Sequence, residues 1–209
     1  MKQLVIIGAG GMGRTLYDIA RESVGYGSEF VIKGFINDIP DVLDNFPNYP
    51  PILGTIKDYV PKEDEVFTSS IGADERVLCI DRILSKGGVF TNIIHKTARI
   101  GSNVKIGKGN LIGPFTTLGA DCVVGNYNMI QSYTVIGHDV VIGDCNRIDT
   151  HVTCVGGVRI LNEATIHTSA VINHKVTVGN RAKVGACSFV IRKVKDGDTV
   201  LGVPAKKIN

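Results

Sequence analysis

From Ile100 onward every sixth residue is apolar: Ile100, Ile106, Ile112, Leu118, Val124, Ile130, Ile136, Ile142, Ile148, Cys154, Ile160, Ile166, Ile172, Val178, Val184 and Val190, with Cys154 the one member that is not aliphatic. The residue two places earlier is small or slender in most repeats, as at Ala98, Val104, Thr116, Cys122 and Thr134, and Gly follows the aliphatic residue in most of the early repeats. A helix repeats its apolar stripe at three and four, so a period of six predicts short strands separated by turns. Such a chain coils. The aliphatic side chain points inward beside the small one, Gly eases the backbone at the bend, and neighbouring coils stack about 4.8 Å apart through ladder hydrogen bonds. The phase holds unbroken over 100–190, so any site on the coils is built from turn residues and from a neighbouring subunit.

The first part of the chain follows another rhythm. LVII at 4–7 reads as a buried strand, and Met12, Leu16, Ile19, Ala20 and Val24 recur at four and three, which predicts a helix with one apolar face on a sheet. FVIKGFI (30–36) and EVFTS (65–69) are two further strands, followed by a Gly-containing turn (SIGAD, 70–74), a helix through Val77, Leu78, Ile80, Ile83 and Leu84, and a strand VFTNII (89–94). Between the first strand and helix, GAGGMG places Gly8, Gly10 and Gly13 in the G-x-G-x-x-G spacing that lets a phosphate approach backbone amides at a helix N-terminus. The second strand leads to Asn37 and Asp38, near where a dinucleotide-binding unit carries an acidic residue. The fold class is therefore α/β plus all-β: a small Rossmann-like domain over 1–92 and a parallel β-helix of hexapeptide repeats over 93–209. Three uses of the first domain stand open. It could bind a nicotinamide cofactor, although no catalytic domain for hydride transfer follows; it could be a structural cap; or it could hold a nucleotide sugar on the same loop and strand end, the reading preferred here.

Composition narrows the partners. The 209 residues are 44% hydrophobic, enough for a sizeable core, and the net charge of +3 gives no electrostatic case for nucleic acid or membrane as the main partner. Five Cys without CxxC spacing (79, 122, 145, 154, 187) argue against a disulfide framework or zinc knuckle and for a reducing compartment. No apolar run is long enough to span a bilayer, and the starting MKQLVIIGAGG is too short and too Gly-broken for a signal peptide, so a cytoplasmic location is expected.

The two-part arrangement resembles the PglD/NeuD type of sugar acetyltransferases. The resemblance is carried end to end by IIGAGGMGR (6–14), PILGT (51–55), TSSIGADERV (68–77), NIIHKTARIG (92–101), GHDVVIGD (137–144) and GVPAK (202–206). It implies a left-handed β-helix with three hexads per coil, a homotrimer, acetyl-CoA in the cleft between adjacent β-helices, and a nucleotide sugar against the N-terminal domain. The implied reaction moves acetyl to an amino or hydroxyl group of a nucleotide-activated or sialic-acid-type sugar. A thioester attacked by an amine or hydroxyl needs a base to take the proton, and His does this near neutrality. His138 stands in the family's catalytic motif, two residues after Ile136, with Asp139 as the orienting carboxylate where relatives carry Glu. By the same resemblance the amide of Gly156 faces the acetyl carbonyl, Arg147 replaces a second His that contacts the cofactor, and Lys206 meets CoA phosphates. Gly8, Gly10, Gly11, Met12, Gly13, Asn37 and Asp38 form the substrate set, with Met12 standing where many relatives have His.

Two rival readings come from other classes. Hexapeptide β-helices include zinc carbonic anhydrases, which need His ligands and an open coordination position but do not carry the N-terminal domain. His174 follows His138 by two coils of 18 on the same edge, about 10 Å away at the usual rung spacing and too far for one metal, while His151 and His167 fall off that line; no metal is expected. The other rival is a passive scaffold or nucleotide-sugar-binding solenoid, since stacked repeats need no chemistry. Cys122 and Cys154 fall on inward positions as small apolar fillers, and direct transfer needs no thiol.

Overall fold

The computed structural model describes residues 1–208, apart from the side chains of Ala73 and Asp74. The chain divides into two compact units, Met1–Lys96 and Thr97–Asn209.

The first unit contains β1 (Lys2–Ile7), α1 (Gly11–Arg21), β2 (Phe30–Ile36), β3 (Glu65–Ser69) and α2 (Ala73–Leu84). The strands form a parallel sheet in the order β2-β1-β3. β1 is central, and Leu4, Val5, Ile6 and Ile7 are fully buried, as a continuous apolar run must be where both faces are covered. α1 buries Gly13, Leu16, Ile19 and Ala20. Val24, expected on the same face, is exposed because the helix ends at Arg21. In α2 the buried stripe is Arg76, Cys79, Ile80 and Ile83, and Leu78 and Leu84 face solvent. Arg76 takes a core position by donating from Nη1 to the Ser69 carbonyl oxygen at 3.0 Å. The expected strand VFTNII is broken: Phe90 bridges Phe67, with backbone bonds on either side, and only Ile93–Ile94 is a strand.

Lys33 sits where the register of β2 slips against β1, between the partners of Leu4 and Val5. Its Nζ reaches Oε1 of buried Glu65 at 2.6 Å, and that carboxylate also accepts from the Tyr59 hydroxyl (2.8 Å) and the Lys62 amide (2.9 Å). Burial pushes the Glu65 carboxyl up, but the Lys33 ammonium with the Lys62 and Tyr59 donors outweighs it, and the net direction is below the ordinary carboxylate value.

The second unit is a β-solenoid. Two-residue strands recur every six residues from Arg99–Ile100 to Phe189–Val190. Strands within the stack pair in parallel with the strand one coil away on either side, so that Val135 faces both Thr117 and Thr153 and three sheets run the length of the unit. From Ile112 on, the aliphatic residues fill the interior: Ile112, Leu118, Ile130, Ile136, Ile148, Ile166 and Ile172 have no exposed surface, each worth about 1.5–3 kcal/mol of burial, whereas Ile100, in the end coil, is exposed and Ile106 half-buried. Cys154 substitutes as a filler, and burial pushes its thiol up to about 12.

Gly acts at a different place in the hexad than expected. The residue with positive φ is the third after the aliphatic one, and it is usually not Gly: Asn103, Asp121, Tyr127, Asp139, Cys145 and Lys175 all take it. The Gly directly after the aliphatic residue is required by the next coil. A Cβ on Gly137 would lie 2.8 Å from the Gly156 nitrogen and 2.9 Å from the Cys154 carbonyl oxygen. Side-chain ladders also tie the coils together. Buried Asn110, Asn128 and Asn146 occupy the slot two before the aliphatic residue; the amides of Asn128, Asn146 and Ala164 donate at 2.8–2.9 Å to the Asn side-chain oxygen one coil before. On another corner Phe115, Tyr133 and His151 stack with ring centroids 5.0 Å apart at each step.

Candidate active site

His138 and Asp139 are the second and third residues after Ile136, on the outer bend of a coil. Their backbone is held from both sides: the Asp139 amide donates to the Ala120 carbonyl (3.0 Å) and the Gly157 amide to the His138 carbonyl (2.9 Å). Both side chains are free to face outward, and each is 65% exposed. Asp139, at φ 59°, turns its carboxylate back so that Oδ2 lies 2.6 Å from His138 Nδ1. One methylene fewer than Glu is therefore enough to reach the ring. A carboxylate on Nδ1 fixes that nitrogen as the N–H donor and leaves the lone pair on Nε2, which has no partner among the described residues.

Gly156 completes this corner one coil on. A Cβ there would sit 2.5 Å from His138 Nε2 and 2.6 Å from Cε1, so the imidazole occupies the space a side chain would need. The amide of buried Gly156 has no acceptor among the described residues, whereas its neighbour Gly157 donates to His138. An imidazole with a free Nε2 and a carboxylate on its other nitrogen thus lie against a glycine of the next coil, and general-base chemistry uses such a pair. His174, exposed, stands a further coil along the same corner.

Arg147 lies elsewhere on the coil, on the sheet that also holds Met129 and Thr165. Its Nε and Nη2 donate to Asp149 Oδ1 (2.6 Å) and Oδ2 (3.2 Å). Gln131 Nε2 and His167 Nδ1 reach the same carboxylate at 2.7 and 3.2 Å. This cluster was missed in the sequence, although it carries a signal: Gln131, Asp149 and His167 stand one coil apart in the slot that Gly113 and Gly185 occupy in the flanking coils. Lys206 lines a cleft of about 280 Å³ at the end of the solenoid, together with Arg192, Lys193 and Lys207. Lys207 is paired with Asp198 at 2.7 Å.

In the first unit the Gly loop is closed by its own strand ends. Gly8 (φ 93°) donates to the Ile36 carbonyl at 2.9 Å, and the Ala9 amide donates to Asn37 Oδ1 at 3.1 Å. Gly10 caps α1 without a side-chain bond to the first-turn amides. A side chain at Gly13 would strike the Gly8 carbonyl oxygen, which is why strand and helix can pack so closely there. Asp38 Oδ1 accepts from the Ile56 amide at 2.7 Å and ties the strand end to the segment around PILGT. Gly11 is exposed and Met12 half-buried at the start of the helix, and Arg14 lies over the Phe46 ring at 3.5 Å.

Among the described residues, no group of three or more His, Cys, Asp or Glu could hold a metal ion, and no helix is long and apolar enough to cross a membrane. No family model matches the chain. Solved structures do. The acetyltransferase domain of PglB from Neisseria gonorrhoeae FA1090 is 25% identical, with all of both chains covered and a TM-score of 0.89; it has also been solved in complex with acetyl coenzyme A. A variant of perosamine N-acetyltransferase from Caulobacter crescentus, solved with CoA and GDP-perosamine, is 23% identical over 100% of this chain and 98% of its own, with a TM-score of 0.85, a likeness of fold. A serine acetyltransferase from Bacillus pumilus (strain SAFR-032) is 43% identical over 49 residues, 23% of each chain, so this chain spans under a quarter of that relative's length.

Proposed function

We propose that this chain, which resembles sugar acetyltransferases of the PglD/NeuD type in its motifs and over its whole fold, moves an acetyl group from acetyl-CoA to an amino or hydroxyl group of a nucleotide-linked or related sugar. The observation that carries the reading is the exposed His138–Asp139 pair, 2.6 Å apart, with the imidazole in the space that a side chain at Gly156 would fill.

In this reading the acceptor nitrogen or oxygen bonds to the acetyl carbon while His138 Nε2 takes its proton. Asp139 balances the imidazolium that forms, and the Gly156 N–H donates to the carbonyl oxygen as it gains charge. The carbon–sulfur bond then breaks and His138 passes the proton to the leaving sulfur. Lys206 and the basic cleft around it suit CoA phosphates, and Arg147 is a further contact for the cosubstrate. The solenoid is read as left-handed and its grooves as shared between subunits of a homotrimer. The first unit is read as Rossmann-like: Gly8, Gly10, Gly11, Met12 and Gly13 would approach the nucleotide sugar, Asp38 would meet it, and Asn37 would hold the loop in shape for it.

The test is thiol release from acetyl-CoA by the intact protein against UDP-, dTDP- and GDP-linked amino sugars. Transfer to one of them is the expected result. A protein that binds these sugars and acetyl-CoA but releases no thiol with any amino or hydroxyl acceptor would overturn the reading.

A further inference from the structure

The cluster around Asp149 holds more than the acetyl-transfer reading uses. On its corner of the coils, the residue after the inward aliphatic one runs Gly113, Gln131, Asp149, His167, Gly185. At Gly113 a Cβ would lie 2.8 Å from the Ser132 nitrogen of the next coil, so Gly is the residue that fits without adjustment. Three successive coils instead carry long or charged side chains that bond to one another. Their hub is a carboxylate whose side chain is 7% exposed and which accepts from Arg147 Nε and Nη2, Gln131 Nε2 and His167 Nδ1.

An ion pair with a buried carboxylate adds little to the stability of a fold, because the carboxylate loses its hydration. What it does provide is a fixed direction. With Nε and Nη2 on Asp149, the guanidinium is clamped along one edge, while Nη1 has no partner among the described residues. His167 is held through Nδ1, and its Nε2 is likewise without a partner among the described residues. The two side chains are 35% and 42% exposed. The cluster therefore leaves a clamped guanidinium edge and an imidazole nitrogen partly exposed, while the carboxylate they share is buried. That is a donor arrangement suited to phosphate oxygens.

We propose that Asp149 is a positioning residue that presents Arg147 and His167 as a contact for a phosphate group of one of the two phosphorylated cosubstrates, acetyl-CoA or the nucleotide sugar. It rests on the acetyl-transfer reading only for its choice of probes. The experiment is calorimetric titration of the intact protein with CoA, dephospho-CoA and UDP-, dTDP- and GDP-linked sugars, for wild type, Arg147→Ala, Asp149→Ala and the double variant, each checked by thermal melt. The expected result is that Arg147→Ala and Asp149→Ala each weaken one class of ligand roughly ten- to hundredfold, with the loss in the double variant smaller than the product of the two single losses. Asp149→Asn, which keeps the shape without the charge, should fall between wild type and Asp149→Ala; it also serves if Asp149→Ala does not fold. Loss confined to CoA or to the nucleotide sugar identifies which phosphate is held. Unchanged affinity for both classes alongside a lowered melting point would make the cluster structural and overturn the proposal, as would additive losses or a wild type that binds neither class. A wild type that fails to bind CoA while Asp149→Ala weakens nucleotide binding would instead overturn the acetyl-transfer reading and leave this one standing.

Discussion

Two His–Asp pairs stand on the same solenoid and are built in opposite ways. In His138–Asp139 the partners are adjacent in sequence, the carboxylate is 65% exposed, and one bond of 2.6 Å joins them. In His167–Asp149 they are a coil apart, the carboxylate is 7% exposed, and it is shared with Arg147 and Gln131. The difference follows from the place each residue takes in the hexad. Asp149 and His167 directly follow the inward aliphatic residue, where the chain presses on the next coil, while His138 and Asp139 occupy the two places beyond it, at the outer bend. A repeating backbone thus offers two kinds of polar position. One braces side chains against each other, and the other leaves them exposed with their hydration largely intact.

The comparison is sharpened most by Gly156→Ala. Its methyl group would need the space of the His138 ring, so the imidazole must swing away. We predict kcat for acetyl transfer to fall about a hundredfold at saturating cosubstrates, in steady-state thiol release, with the solenoid still folded. Asp139→Asn comes next. The ring loses its carboxylate, and kcat should fall at least about tenfold, while stability in urea changes by no more than about 0.5 kcal/mol because both side chains are exposed. A large stability loss there would break the distinction between the exposed and buried pairs.

The smallest effect concerns a buried carboxylate of the first unit. Glu65 is held below its ordinary value in the folded chain against the pull of burial, chiefly by Lys33. Its contribution to stability is therefore complete above the unfolded carboxyl value, about 4.3, and is lost as pH falls through the lower folded value. Glu65→Gln should remove about 1–2 kcal/mol at neutral pH and flatten the acid limb of the unfolding curve, measured by urea denaturation across pH. Activity per folded molecule should not change.

How much of this was legible follows the same division. The six-residue period gives the coils and the inward positions, because inward packing repeats in sequence; the register of 18 comes with the family resemblance. The adjacency of His138 and Asp139 could be read directly, since neighbours at one bend need no folding to meet. The Asp149 cluster could not, because Gln131, Asp149 and His167 meet only when three coils are stacked; the same holds for the buried Asn110–Asn128–Asn146 ladder and the Phe115–Tyr133–His151 stack. In the first unit the β1-α1-β2 order followed from the apolar runs, yet the exposure of Val24 and Leu78 did not. There the helix end and the burial of Arg76 decided which residues face the core, and periodicity alone carries neither.

The most direct test of the account compares single-turnover acetyl transfer by the wild type, His138→Ala and His174→Ala, with thermal melts to show that all three are folded. His174 is exposed on the same corner and takes no part in the proposed chemistry. The expected result is a loss of about 10²–10⁴ in the rate of transfer for His138→Ala and a wild-type rate for His174→Ala. A folded His138→Ala protein that transfers acetyl as fast as the wild type would contradict it.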